Sequence, residues 1–244
     1  MNIGPNVFGV GATALGVIGL VWGDFAPIWQ PVPAEIPGYR SLAYGAALLL
    51  LACGLGLQLK LSAGIAACAL AVLFVAFAIP WAVRVVRFPE LFGTWGGCAE
   101  QLALATGALT LMAAGKPCLE LLWRVAFGVC AIIFGLNHFF ALSQTAHMVP
   151  AWIPPGQLFW AVATGIFYFG GGVALVTGVW ASLAARLLAL MIACFALFIW
   201  APALFAQPDN HVVWAGNAMT LLAAAVARII AEAIDSQKEG RPDP

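Results

Sequence analysis

The sequence predicts an all-α polytopic membrane protein, with eight transmembrane helices forming two parallel four-helix-bundle repeats. Three observations carry that reading. The chain of 244 residues is 64% hydrophobic and only 8% charged, with a mean hydropathy of +1.00. A soluble domain carries about 25% charged residues, so most of this surface cannot face water. Several stretches reach roughly 18–20 apolar residues, enough to cross about 30 Å of hydrocarbon. None alternates with the period of a barrel strand, so helices must satisfy the backbone in lipid. Third, the chain says nearly the same thing twice. Val32–Gly38 reads VPAEIPG and Val149–Pro155 reads VPAWIPP, while Trp81 and Trp95 recur as Trp200 and Trp214 with the same internal spacing. Two anchors at almost one offset are the mark of a duplicated unit.

The predicted spans run from about 7–23, 41–59, 63–83, 95–114, 119–141, 157–179, 182–204 and 212–232. Four fall in a first repeat, residues 1–115, and four in a second, residues 118–233, with Lys116 and Pro117 as the hinge and residues 234–244 as a solvated tail. An even number of spans per unit makes the repeats parallel, related by an axis along the membrane normal. The opening MNIGPNVFGV lacks a basic n-region, so it leads into a retained first helix. Helices 2–3, 4–5 and 6–7 are joined by a few residues, whereas the other four connections are long and carry the Pro-rich lips. Pro80 and Pro202 should bend the ends of helices 3 and 7 and free a carbonyl each. Gly54 with Gly56, and Gly170–Gly172, allow close helix approach.

Lys60, Lys116, Arg124, Arg186, Arg228, Lys238 and Arg241 fall on the short-loop side, against Arg40, Arg84 and Arg87 on the long-loop side. That asymmetry puts both termini in the cytoplasm. Eight tryptophans (Trp22, Trp29, Trp81, Trp95, Trp152, Trp160, Trp200 and Trp214) map to the outer side and only Trp123 and Trp180 to the inner. Interfacial anchoring explains most of them. A sharper reading gives some, Trp95 and Trp214 among them, to an outward-facing aromatic cup.

A zero net charge removes the electrostatic case for nucleic acid, leaving the lipid bilayer as the partner composition implies. The six cysteines form no CxxC pair and read as small buried hydrophobes. No Walker loop, GxSxG elbow or catalytic carboxylate pair is present.

Ionisable groups inside spans are expensive and therefore candidates. Glu100 leads. It stands five residues after Trp95, hence about 7–8 Å below the outer interface at 1.5 Å per residue. One reading is a structural ion pair with Arg84 or Arg87 across the 3–4 hairpin; the other is a carboxylate that handles a proton or orients a ligand. Its counterpart in the second repeat is Met219, so its role belongs to one half. His138, in FGLNHFF, falls where the repeat alignment has Trp22, and suits a quinone hydrogen bond, a haem or metal ligand, or a packed polar residue capped by Asn137. His147 and His211 lie in outer loops of the same half, but no HxxxH or HxxE spacing supports a metal site. Asp24 and Asp209 read as solvated, and Asn217 as interhelical glue or a further ligand contact.

The run FGLNHFF, then VPAWIPP, then FWAVATGIFYFGGGVALVTG, continuing to WAGNA at 214–218, resembles the DoxX family of bacterial inner-membrane proteins. The first half keeps VPAEIPG and the two tryptophans but has Trp22 where the histidine would stand. The resemblance implies a four-helix bundle, here doubled, in the inner membrane. It also implies a link to quinone chemistry, because named members include a membrane subunit of a thiosulfate:quinone oxidoreductase, and relatives serve partner proteins. Only His138 and the lip at Pro150 and Pro154 match that pattern directly. The leading expectation is an accessory, ligand- or partner-binding membrane protein with an outward-facing aromatic and polar cavity. Its rivals are a quinone-linked redox subunit working beside a soluble oxidoreductase, with Glu100 and His138 on the quinone, and a small-molecule transporter.

Overall fold

The computed structural model describes residues 3–59 and 62–239 and is entirely helical over them. The first half consists of α1 (Ile3–Trp22), α2 (Tyr39–Gly56), α3 (Ala63–Arg87) and α4 (Phe92–Met112). The second consists of α5 (Pro117–Phe140), short α6 (Leu142–Met148), α7 (Gln157–Thr177), α8 (Ala181–Phe195), α9 (Ala201–Ala206) and α10 (His211–Glu239). A π turn, Ala196–Trp200, makes α8 and α9 one continuous rod. Each predicted span thus has its helix.

Seven of these rods are long and apolar enough to cross a membrane. The eighth, α4, is built differently. Its buried residues include Thr94, Gly96, Ala99, Gln101, Ala103, Thr106, Gly107, Ala108 and Thr110. A helix enclosed by protein need not be greasy; it needs small residues that let neighbours come close. Thr106 and Thr110 return their hydroxyls to the α4 backbone, at 2.6 and 2.7 Å from the carbonyls of Ala103 and Thr106. Their burial therefore leaves no unpaired donor.

The helices close into a ring. Neighbours around it are α1, α2, α3, α4, α5, α7, α8 and α10, and α10 returns to α1. A strut from α4 to α10 crosses the middle. Gly107 makes the strut possible, because a Cβ there would stand 2.5 Å from the Val226 side chain. α1 packs against α10 and α4 against α5, so each half's first helix is seated on the other half's last helix.

Matched contacts recur across the halves. A Cβ on Gly97 would sit 2.5 Å from the Trp81 ring, and one on Gly216 would sit 2.5 Å from the Trp200 ring. Trp95 Nε1 donates to the Pro89 carbonyl at 3.1 Å, and Trp214 Nε1 to the Pro208 carbonyl at 2.8 Å. Gly16 meets the Ala47 carbonyl and Gly135 the Gly165 carbonyl, with Cβ positions 2.7 and 2.8 Å away.

One end of the bundle carries both described chain ends. Glu232 of α10 accepts the first backbone N–H groups of α1, from Ile3 at 3.0 Å and Gly4 at 3.3 Å, and pairs with Arg228 at 2.9 Å. A carboxylate there meets the positive end of the α1 dipole. Asp235 accepts from Ser182 and Arg186 of α8. This corrects the sequence reading of a tail free from residue 234: α10 runs on to Glu239, because Asp235 has partners on α8 that fix its last turn. Residues 240–244 lie outside the described part, as do Lys60 and Arg241 from the charge count.

The two prolines behave unequally. α3 runs through Pro80 without interruption. Before Pro202 the rod widens into the π turn, in which the Ala201 N–H reaches the Ala196 carbonyl. Such a turn absorbs a missing donor by shifting the ladder one residue.

Candidate functional site

The polar residues that hydrophobic burial alone does not explain gather at the opposite end, where the long connections lie. Trp29 is their centre. It follows α1 in the first connection and is buried. Its Nε1–H donates to Glu100 Oε1 at 3.0 Å. Its backbone carbonyl accepts from Gln101 Nε2 at 2.8 Å and from Trp81 Nε1 at 3.4 Å. The edge of its ring meets Trp200, with centroids 5.9 Å apart. The π turn that precedes α9 ends on Trp200, so the irregular backbone sets the position of that indole.

Glu100 and Gln101 project from the third turn of α4 into this cluster. Gln101 is only 1% exposed, yet its Oε1 has no hydrogen-bond partner among the described residues. Leaving a buried acceptor unpaired costs about 1–3 kcal/mol, so such an atom marks a place where a donor from outside would be welcome. A second orphan acceptor, Asn137 Oδ1 of α5, lies close by. The Asn137 amide packs onto Gly96, one turn before Glu100, in the space a Cβ there would fill. Residues of both halves therefore meet at this seam.

His138 extends the cluster along α5. Its Nδ1 donates to the Phe134 carbonyl at 2.8 Å, which leaves Nε2 as the free nitrogen. The imidazole packs on Tyr168 of α7, with ring centroids 5.2 Å apart, and Tyr168 also touches Phe134 and Phe195. His138 and Tyr168 thus tie α5 to α7 beside the seam.

Other sequence candidates fall elsewhere. The Glu100 ion pair does not form: no arginine stands within 4 Å of its carboxylate among the described residues. Arg84 lies over the Trp81 ring at 5.0 Å, and both Arg84 and Arg87 are exposed. Long cationic side chains at a helix end keep their charge in water rather than follow a carboxylate inward. Trp95 and Trp214 are each 38% exposed and tie themselves to their own loops, so they stand at the rim. His211 stacks on Trp22 at 4.9 Å and 11°, with its Nε2 buried and unpartnered. Asn217 is half-buried on α10 beside Gly216. His147 is exposed on α6 and bonds only the Ser143 carbonyl.

Two local readings are corrected. Asp24 is not left to solvent: its Oδ1 accepts the Tyr39 hydroxyl at 2.6 Å and the Phe25 N–H at 2.7 Å, which pins the first lip to α2. His138 answers to Gly19 rather than Trp22. His138 Cβ lies against Gly165 as Gly19 lies against Ala47, in register with the Gly16 and Gly135 contacts.

The sequence marks Trp29 and Trp200 only as two of eight outer tryptophans, and Tyr168 not at all. Trp29 and Glu100 are 71 positions apart, and no spacing rule links a loop indole to a helix carboxylate over that distance. The one available signal was Gln101, a second polar residue beside Glu100 in an otherwise apolar helix.

The DoxX family model matches residues 119–201, from the first turn of α5 to the start of α9. His138, Asn137, Tyr168 and Trp200 lie inside that region, whereas Trp29, Glu100 and Gln101 lie before it. No curated protein and no solved structure matches the chain.

Proposed function

We propose that the protein is an accessory, ligand-binding integral membrane protein of DoxX type, working through the cluster at Trp29, Glu100 and Gln101. The observation that carries this reading is the buried Gln101 Oε1 without a partner, beside a carboxylate with a single donor and no cation. Acceptors in excess of donors call for a ligand that brings hydroxyl or N–H groups. The adjoining indoles of Trp29 and Trp200 favour a flat ring. The ligand class is therefore a small apolar ring bearing hydroxyls, held toward the outer leaflet.

The chain is read as two copies of one unit, 1–115 and 118–233, with both termini cytoplasmic in a bacterial inner membrane. The matched Trp–Gly and Trp–Pro contacts support the duplication. Charge asymmetry supports the orientation: among described residues, Lys116, Arg124, Arg186, Arg228 and Lys238 map to the terminal end, against Arg40, Arg84 and Arg87 at the other.

A quinone-linked redox subunit is the second reading. It is favoured by His138, a proton acceptor in a spanning helix whose Nε2 is free and whose ring packs on Tyr168. Titration of purified protein with decyl-hydroquinone, decyl-quinone and a ring-methylated hydroquinone, followed by tryptophan fluorescence, separates the readings. Preference for the free hydroxyls, lost in Gln101→Leu, supports ligand binding. Equal weak partitioning of all three into parent and variant overturns it. Reduction of a bound quinone by a soluble donor would favour the redox subunit.

A further inference from the structure

At the end that carries the chain termini, a cavity of about 370 Å³ opens between the first turns of α5 and the last turns of α10. Glu120, Leu121, Arg124, Ile234 and Gln237 line it. Glu120 is already engaged, taking the Gly115 N–H at 2.9 Å on one oxygen and Gln237 Nε2 on the other. Arg124 stands four residues on, a spacing at which opposite charges on a helix normally pair. Here no carboxylate lies within 4 Å of its guanidinium among the described residues, and its Nε is buried without a partner. The guanidinium spreads over Gly178 at the end of α7, with NH2 3.3 Å from the place a Cβ would occupy. Trp180, 80% exposed, follows two residues later and marks headgroup depth. Leu121 and Leu122, 49% and 50% exposed, continue the apolar wall outward.

We infer that this cavity is a headgroup site for an anionic phospholipid, with the phosphate on Arg124 and an acyl chain along Leu121 and Leu122. A guanidinium presents paired N–H groups that match two phosphate oxygens. Basic pockets between transmembrane helices at this depth are suited to such headgroups. An apolar exit beside the cation distinguishes a lipid from a free anion.

The test is native mass spectrometry of the full chain, delipidated in a neutral detergent, with phosphatidylglycerol, phosphatidylcholine and inorganic phosphate as probes. The parent should retain phosphatidylglycerol over phosphatidylcholine, and millimolar phosphate should not displace it. Arg124→Gln should weaken retention roughly tenfold, the value of one charge-assisted contact, while Arg124→Lys keeps most of it. Ala233→Phe, which fills the cavity but leaves the guanidinium, should abolish retention. Equal retention by parent, Arg124→Gln and Ala233→Phe would overturn the site. Complete displacement by inorganic phosphate would overturn the lipid assignment.

Discussion

Glu100→Gln should leave the protein as stable as the parent or make it more stable. The carboxylate is half-buried and accepts one hydrogen bond, from Trp29 Nε1 at 3.0 Å. Removing a charge from a partly buried site recovers desolvation, which is several kcal/mol for a fully buried ion and less at this depth. The glutamine oxygen still accepts from the indole, so only the charge-assisted part of that bond is lost, about 1–2 kcal/mol. The difference falls between about 0 and 2 kcal/mol in favour of the variant. For a chain of this length that corresponds to a rise of at most about 8 °C. Trp29→Phe acts oppositely. It removes the donor from Glu100 and shrinks a buried ring, for a loss of about 2–4 kcal/mol. The double variant Trp29→Phe/Glu100→Gln closes the cycle and should recover part of that loss, because the amide needs the indole less than the carboxylate does. The assay is thermal unfolding in detergent read by a thiol-reactive dye, for which buried Cys53 and Cys130 report opening without relying on the mutated tryptophan. A clear drop in Tm for Glu100→Gln, restored by Arg84→Gln or Arg87→Gln, would refute this reasoning and reinstate the ion pair.

Gly97→Ala and Gly216→Ala should each cost about 1–3 kcal/mol by driving a methyl into an indole, whereas Gly45→Ala, with open space around it, should be neutral; equal Tm values for all three would contradict the packing. Glu232→Gln should lower stability by about 1 kcal/mol through loss of the α1 dipole partner and the Arg228 contact, and hydrogen exchange at Ile3 and Gly4 should speed up. On a cysteine-free background, cysteines at Glu35 and Gln144 should react with an impermeant reagent in intact cells while one at Lys116 stays protected; the reverse pattern would invert the orientation.

The spans were legible because lipid demands long apolar runs and the chain supplies them without interruption. α4 was legible as a helix, but its enclosure by protein was not, because its buried residues are small and polar rather than an apolar stripe. α6 was not, because LSQTAHM is a polar septet with no apolar stripe to bury. At the site, Glu100 and His138 stood out as costly residues in spans. Their surroundings were hidden for a reason of geometry. Helix 3 extends to Arg87 and carries its arginines out past the rim, so the neighbour Glu100 has is an indole from a loop. Charge complementarity pointed to arginine, and depth decided against it.

The ring in which α10 returns to α1 makes membrane insertion a closing reaction. During synthesis α1 precedes α2 and α3, on which it packs through Gly16 and Phe8. Its other seat, and the carboxylate that receives its leading amides, exist only after α10 has been made. Until then the Gly4 and Gly11 face of α1, shaped to Ile229 and Leu222 of α10, is presented to lipid. Assembly is therefore committed at its last step. A chain stopped before α10 leaves three helices, α1, α4 and α8, each without a partner on which it packs. Such a nascent product offers small-residue faces and an unanswered helix start to whatever quality-control machinery surveys the membrane. Conversely, the contact of Ile3 with Glu232 holds the start of α1 beside the last turns of α10, so a linker from Glu239 to Ile3, with the chain reopened at the Lys116–Pro117 hinge, should yield the same ring from a new starting point.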